Sequence, residues 1–436
     1  MEAALVAGIV LVVGIAVLLL ARVPIAVAVG LSAFLAIAAV IGPEKASFVA
    51  AQRLFTGVNS FALLAIPFFI LAGVLMNNGG IAGRLIDAAK VLVGRMPGSL
   101  AQTNVVANAL FGSVSGAAVA SAAAVGGVIG PRQAKEGYDR NFSAAVNVAS
   151  APAGMLIPPS NTLIVYSLVS STSIATLFVA GYIPGILWAA ACMLVVWLHV
   201  RRRPGTGDRE RISLPTALTT LWRAVPSILM IVVVIGGILA GFFTPTESAA
   251  IAVVYCLFLG FAYRTIRVQD LPRIVLDATR TSSIVMLLVG VSTIMAWAMA
   301  FSGLPAAISE AMLGLTDSPT MIFIMIMVIL LLVGTFMDPT PAILIFVPIF
   351  LPIVTELGVD PIHFGIMITF NLCLGTITPP VGNVLFVGAK IANLRVEPVI
   401  KSLIPFFVAL VVMLFVVAFV PELSLWLPRL LGLSGS

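Results

Sequence analysis

The chain has 436 residues, of which 61% are hydrophobic and 9% charged, and its mean hydropathy is +1.19. A soluble domain is usually about 45–50% apolar and about 25% charged, so this composition excludes a water-soluble enzyme. At about 20 residues per transmembrane helix, the apolar sequence suffices for ten or more spans and predicts an all-α polytopic membrane protein. The net charge of +6 does not call for a nucleic-acid partner, because Lys and Arg in cytoplasmic loops account for it.

The first predicted element is an apolar span over residues 3–20. Glu2 stands where a signal peptide would carry a basic region, so we interpret the run as a membrane span and not as a cleaved signal. The cysteines, Cys192, Cys256 and Cys373, lie far apart in apolar stretches. This spacing predicts small buried hydrophobes and neither a disulfide nor a transition-metal site.

Prolines, glycines and asparagines recur along the chain at an offset of 221 or 222 residues. The pairs include Pro24 with Pro245, Pro97 with Pro319, Gly112 with Gly334, Pro131 with Pro352, Pro158 with Pro379, and Asn161 with Asn383. One nearly constant shift over the whole chain predicts two structural repeats, at residues 1–200 and 222–436. Residues 201–221 form a basic cytoplasmic linker and the start of the second repeat.

Each repeat is predicted to contain five spans and one hairpin of shorter helices. The hairpins cover about residues 98–133 and 318–354, and the apolar arms of the first, 100–111 and 117–130, have 12 and 14 residues. At about 1.5 Å per residue neither arm crosses a hydrocarbon core of about 30 Å, so we predict re-entrant hairpins.

An odd number of spans gives the two repeats opposite orientations in the membrane. All of the 23 Lys and Arg residues except Lys45, Arg53 and Arg429 then fall on one side. The positive-inside rule assigns that side to the cytoplasm and both termini to the outside. Treating the hairpins as full spans leaves these sides unchanged, so the short arms, and not the charges, favour re-entrance.

Inverted repeats with broken helices are typical of secondary transporters, whose substrate and ion sites lie where half-helix ends meet. The predicted breaks are the hairpin tips at 112–116 and 334–341 and the broken helices at 157–162 and 375–383. Their Gly, Pro, Ser, Thr and Asn residues offer free carbonyls and neutral oxygens, which suit Na⁺. Gly and Ser also pack membrane helices, so the recurrence of the breaks in both halves favours function over packing.

Two acidic residues lie beside apolar sequence. Glu247 follows Thr244 in a Thr-x-x-Glu pattern, which predicts a structural capping box. Asp338 lies at the second hairpin tip, where it could cap the helix opened by Pro339 or serve a solute or an ion. Its counterpart in the first repeat is Gly116, so the first repeat has no carboxylate at this position and any role of Asp338 is limited to the second repeat. The chain has no Walker A motif and no H-E-x-x-H motif, and we expect neither an enzyme nor a cofactor.

Four motifs together resemble a known family over essentially the whole chain. They are IPFFILAG at 66–73, GFFTPTESAA at 241–250, GTFMD at 334–338 and TPPVG at 378–382. The chain resembles the large membrane subunit of tripartite ATP-independent periplasmic (TRAP) transporters. The resemblance implies sodium-coupled import of an organic acid, such as a C4-dicarboxylate or a sugar acid, by an elevator mechanism in a bacterial inner membrane. It also implies two partners, a small four-helix membrane subunit and a periplasmic solute-binding protein.

The resemblance assigns site residues by position. The implied solute contacts are Ser113, Ser115, Ser160, Asp338 and Thr376. The implied Na⁺ ligands are Ser113, Gly116, Pro158, Asn161, Gly334, Thr335, Asp338, Thr378, Gly382 and Asn383.

Two alternatives stay open at this point. A stand-alone sodium/dicarboxylate symporter of related architecture would usually show Ser-Asn-Thr at both cation sites. Here Ser160-Asn161-Thr162 occurs once, opposite Val381-Gly382-Asn383, which favours the tripartite interpretation. A membrane scaffold protein without flux would not need duplicated breaks.

Overall fold

A computed structural model describes residues 2–201, 213–316 and 318–433. Over these residues the regular secondary structure is helical, without a strand. Residues 202–212, most of the predicted basic linker, lie outside the described part of the chain.

The helices alternate between long apolar segments and shorter pieces. Those of the first half are α1 Glu2–Leu20, α2 Ile25–Ile41, α3 Pro43–Val58, α4 Ala65–Asn78, α5 Ile81–Val93, α6 Ser99–Ser115, α7 Ala118–Lys135, α8 Arg140–Ser150, α9 Ala153–Leu156, α10 Asn161–Ser170 and α11 Ile174–Arg201. Those of the second half are α12 Leu214–Leu239, α13 Pro245–Ala262, α14 Leu271–Ser302, α15 Leu304–Leu313, α16 Pro319–Phe336, α17 Pro339–Glu356, α18 Pro361–Gly375, α19 Asn383–Ile391, α20 Val396–Phe419 and α21 Glu422–Leu430.

Eight helical segments in the described ranges are long and apolar enough to cross a membrane. They contain α4, α11, α12, α13, α14, α16, α17 and α20. Helices α2, α10 and α18 and residues 4–20 of α1 form shorter apolar segments. The chain is therefore an all-α multi-pass membrane protein, and the finer count of ten spans stays a prediction.

The arms of the first hairpin are longer than the sequence suggested. Helix α6 has 17 residues and α7 has 18, which makes each about 26–27 Å long. Helix α6 runs through Gly112 and ends at Ser115, where Gly116 takes a left-handed conformation (φ +64°). Helix α7 continues past Pro131. The predicted arm lengths of 12 and 14 residues are therefore wrong. At about 26–27 Å each arm is still shorter than a hydrocarbon core of about 30 Å, and re-entrance stays a prediction.

The hairpins and broken helices pack together in a regular scheme. The first arm of each hairpin contacts the helix that precedes the break in its own half, α6 on α9 and α16 on α18. The second arm contacts the helix that follows the break in the other half, α7 on α19 and α17 on α10. Each half of the chain thus completes the packing of the other around the four tips and breaks.

The predicted capping box is confirmed. The Thr244 N–H donates to Glu247 Oε2 at 2.8 Å, and the Glu247 N–H donates to Thr244 Oγ1 at 3.3 Å. Both partners lie at the start of α13, so these contacts give Glu247 a structural role. Cys192, Cys256 and Cys373 are buried free thiols, as predicted.

Candidate functional site

Two glycine pairs let the hairpins touch the broken helices. A Cβ atom built on Gly154 would lie 2.2 Å from Cα and from the carbonyl carbon of Gly112. A Cβ atom built on Gly375 would lie 2.4 Å from the carbonyl carbon of Gly334 and 2.5 Å from its Cα. Only hydrogen fits at these positions, so the backbones of α6 and α9, and of α16 and α18, are in direct contact.

The first hairpin tip lies against the first broken helix. Gly116 follows α6, and a Cβ atom at this position would lie 2.4 Å from Nδ2 of Asn161. Asn161 opens α10 after the Pro158–Pro159 peptide, which is cis. Ser160 caps α10 by accepting the Leu163 N–H at 3.3 Å, and its hydroxyl donates to the carbonyl of Met155. We call Ser113, Ser115, Gly116, Pro158, Ser160 and Asn161 the first cluster.

The second hairpin tip is tied to the second broken helix by hydrogen bonds. The Gly382 N–H donates to the carbonyl of Thr335 at 2.9 Å. Nδ2 of Asn383 donates to Oδ2 of Asp338 at 3.0 Å. Oδ1 of Asp338 also accepts the Thr340 N–H at 3.3 Å, so Asp338 both caps α17 and holds Asn383. We call Gly334, Thr335, Asp338, Thr376, Thr378, Gly382 and Asn383 the second cluster.

Four hydroxyls in the clusters donate their protons to carbonyl oxygens three or four residues earlier in the chain. The Ser113 hydroxyl donates to the carbonyl oxygen of Leu110 at 2.9 Å. The hydroxyls of Thr335, Thr376 and Thr378 donate to the carbonyl oxygens of Leu332, Cys373 and Leu374, respectively, each at 2.7 Å. A hydroxyl whose proton is engaged in this way keeps its oxygen lone pairs for another partner. Such a hydroxyl oxygen is able to coordinate a cation.

The two clusters differ in exposure. Ser160 is fully buried, and its hydroxyl both donates and accepts a hydrogen bond. Ser115 is only 9% exposed. In the second cluster Asp338 is exposed, as are Pro379 and Pro380 beside it, whereas Thr376 is buried. Asp338 is therefore the predicted solute residue that is accessible in this conformation.

A polar network beneath the first tip was not predicted. Nδ2 of Asn108 lies 2.8 Å from Oδ1 of Asn104, 3.1 Å from Oδ1 of Asn147 and 2.8 Å from Oγ of Ser150. The Ser121 hydroxyl donates to Oδ1 of Asn108 at 2.7 Å. The sequence held a signal for it, because Asn104 and Asn108 are four residues apart and share one face of α6.

Comparison with known proteins identifies the family. The family model of the "Tripartite ATP-independent periplasmic transporter, DctM component" matches residues 12–423. An uncharacterized protein of Salmonella typhimurium, YgiK, is 53% identical over 96% of both chains. The isethionate TRAP transporter permease DctMQ of Oleidesulfovibrio alaskensis is 38% identical over 94% of this chain, which spans 65% of that longer protein. The C4-dicarboxylate TRAP large permease DctM of Rhodobacter capsulatus is 37% identical over 88% of this chain and 90% of its own length.

A solved structure shares the fold. The Alcanivorax borkumensis YdaH transporter aligns with a TM-score of 0.64 at 12% identity, over 89% of this chain and 90% of its own. The isethionate and C4-dicarboxylate relatives are transporter permeases, in agreement with the expectation of a non-enzyme. The extent of the family match and of these alignments shows that this chain belongs to the DctM-component family of tripartite ATP-independent periplasmic transporters, as its motifs predicted.

Proposed function

We propose that this chain is the permease that moves an organic acid across the bacterial inner membrane in a sodium-coupled import cycle. The observation that carries the proposal is the contact between a hairpin tip and a broken helix in each half, Gly116 with Asn161 and Asp338 with Asn383. Tips and half-helix ends are where secondary transporters bind substrate and coupling ion.

Each cluster supplies the oxygens of one proposed Na⁺ site. The first site uses Ser113, Gly116, Pro158 and Asn161, and the second uses Gly334, Thr335, Asp338, Thr378, Gly382 and Asn383. Neutral oxygens with one carboxylate suit a monovalent cation, because Na⁺ needs several oxygen ligands and little compensating charge. The engaged hydroxyl protons of Ser113, Thr335 and Thr378 support this assignment.

The proposed solute lies between the clusters, near Ser113, Ser115, Ser160, Asp338 and Thr376. By their names, two of the relatives transport isethionate and a C4-dicarboxylate, which are both small organic acid anions. A carboxylate is our preferred class for this chain. A cation bound beside Asp338 offsets the repulsion between that carboxylate and the solute, which couples the two binding events.

Family membership supports the remaining parts of the proposal. We propose a small membrane subunit and a periplasmic solute-binding protein as partners, inverted repeats with both termini periplasmic, and an elevator motion. In that motion α6–α10 and α16–α19 move as one body, because these helices share the interlocked packing. A stand-alone symporter is disfavoured because the chain belongs to the DctM-component family.

Uptake into proteoliposomes tests the proposal. With the small subunit in the membrane and the binding protein outside, an inward Na⁺ gradient is expected to drive accumulation of a labelled organic acid. The same vesicles with a K⁺ gradient, or without the binding protein, are expected to show background uptake. A panel of C4-dicarboxylates, sugar acids and isethionate identifies the solute class. Equal uptake with Na⁺ and K⁺ would contradict sodium coupling.

Thermal unfolding tests the ion sites without transport. A ligand that binds only the folded protein stabilises it by RT ln(1 + [L]/Kd), about 2.7 kcal/mol at 100 times Kd. We expect NaCl, and neither KCl nor choline chloride, to raise the melting temperature of the purified protein. Asn161→Ala and Asn383→Ala are each expected to reduce that rise. An identical melting temperature in all three salts would remove the support for Na⁺.

A further inference from the structure

A cavity with several polar side chains in its wall lies at the base of the first hairpin, away from both clusters. It has a volume of about 350 Å³ and is enclosed by α6, α7, α8 and α19. Its wall includes four buried polar residues, Asn104, Gln133, Ser143 and Asn147, among glycine and alanine, and the exposed Arg140 lies at its mouth. Asn104 precedes Gly116 by 12 residues, about 18 Å along α6, so this basal cavity is separate from the hairpin tip.

Three side chains on the wall of the basal cavity have unmatched hydrogen-bonding atoms. Within residues 2–201, 213–316 and 318–433, neither amide atom of Gln133 has a hydrogen-bond partner. The same holds for Nδ2 of Asn104 and the hydroxyl of Ser143. Buried polar groups in native proteins are nearly always bonded to protein, water or ligand. Three such groups from α6, α7 and α8 facing one cavity therefore indicate that it holds a polar occupant.

Packing does not require polar residues at these places. The repeat offset relates each of these residues to a position in the second half of the chain. Asn104 corresponds to Ile326 at an offset of 222 residues, and Gln133 and Ser143 correspond to Val354 and Phe364 at an offset of 221. All three apolar residues are fully buried. The second hairpin and its neighbouring helix are thus apolar at the three corresponding positions.

The charges around the basal cavity favour an anion. Arg140 is its one charged lining residue, and no Asp or Glu from the described ranges lines it. Nη2 of Arg140 donates to the carbonyl of Ala392 at 2.8 Å, which fixes the guanidinium at the mouth. The N-terminus of α8 is already capped by the Asp139 carboxylate, which accepts the Phe142 N–H at 2.9 Å, so Arg140 and not the helix end supplies the positive charge. The amide N–H₂ groups and the Ser143 hydroxyl add donors for an acceptor ligand.

We propose that the basal cavity is a second anion site, which binds a small carboxylate independently of Na⁺. Its volume lies within the usual range of small-molecule sites, about 300–1,000 Å³. The guanidinium of Arg140 pairs with the carboxylate, while Gln133, Asn104 and Ser143 donate hydrogen bonds from the wall. This site goes beyond the proposed function, because binding there requires neither the sodium clusters nor transport.

This proposal is tested by equilibrium binding of [¹⁴C]succinate and [¹⁴C]acetate. The purified full chain, with its small subunit, is measured in sodium-free choline buffer. We expect saturable binding of at least one probe to the wild type and to Asn383→Ala, in which the second cluster is altered. Arg140→Met and Gln133→Val are each expected to raise the Kd at least tenfold. Arg132→Met is the matched control, because Arg132 is an exposed neighbour that does not line the cavity.

Gln133→Glu guards against a folding defect, since it keeps the side-chain size and adds a negative charge that repels an anion. It is expected to lose binding while keeping the sodium-dependent rise in melting temperature. Absence of sodium-independent binding of both probes to the wild type would overturn the proposal. Unchanged affinity in Arg140→Met and Gln133→Glu would overturn it too, since binding would then lie elsewhere. A failure of sodium-driven uptake, by contrast, would count against the proposed function alone.

Discussion

Asp338→Asn is expected to lower the apparent sodium affinity about 30- to 160-fold and to reduce uptake to background. This range corresponds to about 2–3 kcal/mol, near the upper end for a hydrogen bond to a charged group. In the wild type, Oδ2 of Asp338 accepts from Asn383 at 3.0 Å, which aligns the two residues at the second tip. Asparagine removes the charge but keeps an oxygen that can accept the Thr340 N–H, so the cap of α17 survives.

Sodium affinity is measured from the dependence of the melting temperature on NaCl concentration, uptake is measured separately, and the melting temperature in choline chloride is the folding control. The melting temperature is expected to stay within a few degrees of the wild type. Glu356→Gln is the matched control, because it removes one negative charge from the exposed far end of α17. Asn383→Ala removes the other half of the contact and is expected to shift sodium affinity in the same direction. Wild-type sodium affinity in both Asp338→Asn and Asn383→Ala would exclude the second cluster as an ion site.

The sequence anticipated the places where helices are interrupted better than the lengths of the helices. Pro-Pro cannot continue a helix, and α9 ends at Leu156 while α10 begins at Asn161. Glycine and serine are weaker breakers, so α6 continues through Gly112, where close contact with α9 holds the backbone. The hairpin arms were therefore predicted too short.

Part of the candidate site was also predictable, because its residues lie at the predicted helix interruptions. Duplicated motifs led to Asn161 and Asn383, and the structure places each beside its own hairpin tip. The sequence offered capping of α17 as one possible role of Asp338, but nothing in it indicated the bond to Asn383. The polar wall of the basal cavity was missed, because a lone Gln133 in a basic segment does not reveal that it faces inward.

Gly154→Ala is expected to have a large structural effect, although it adds only one methyl group. The new Cβ would lie 2.2 Å from two backbone atoms of Gly112, well inside the contact distance of about 3.5–4.0 Å. No side chain can rotate away from this contact, so α6 or α9 must shift by more than about 1 Å. Overpacking of a core costs about 1–3 kcal/mol, occasionally more, and a backbone-on-backbone clash belongs at the high end.

The shift also reaches the first cluster, because Gly116 and Asn161 follow directly after the crossing of α6 and α9. We therefore expect Gly154→Ala to lower the yield of folded protein several-fold and to weaken the sodium-dependent stabilisation of what folds. Gly375→Ala is expected to do the same at the crossing of α16 and α18. Gly236→Ala in α12 is the control, since its Cβ would meet no atom of the described chain within 4 Å. If Gly154→Ala matched Gly236→Ala in yield, melting temperature and sodium response, the two helices would not be in the contact that the first ion site requires.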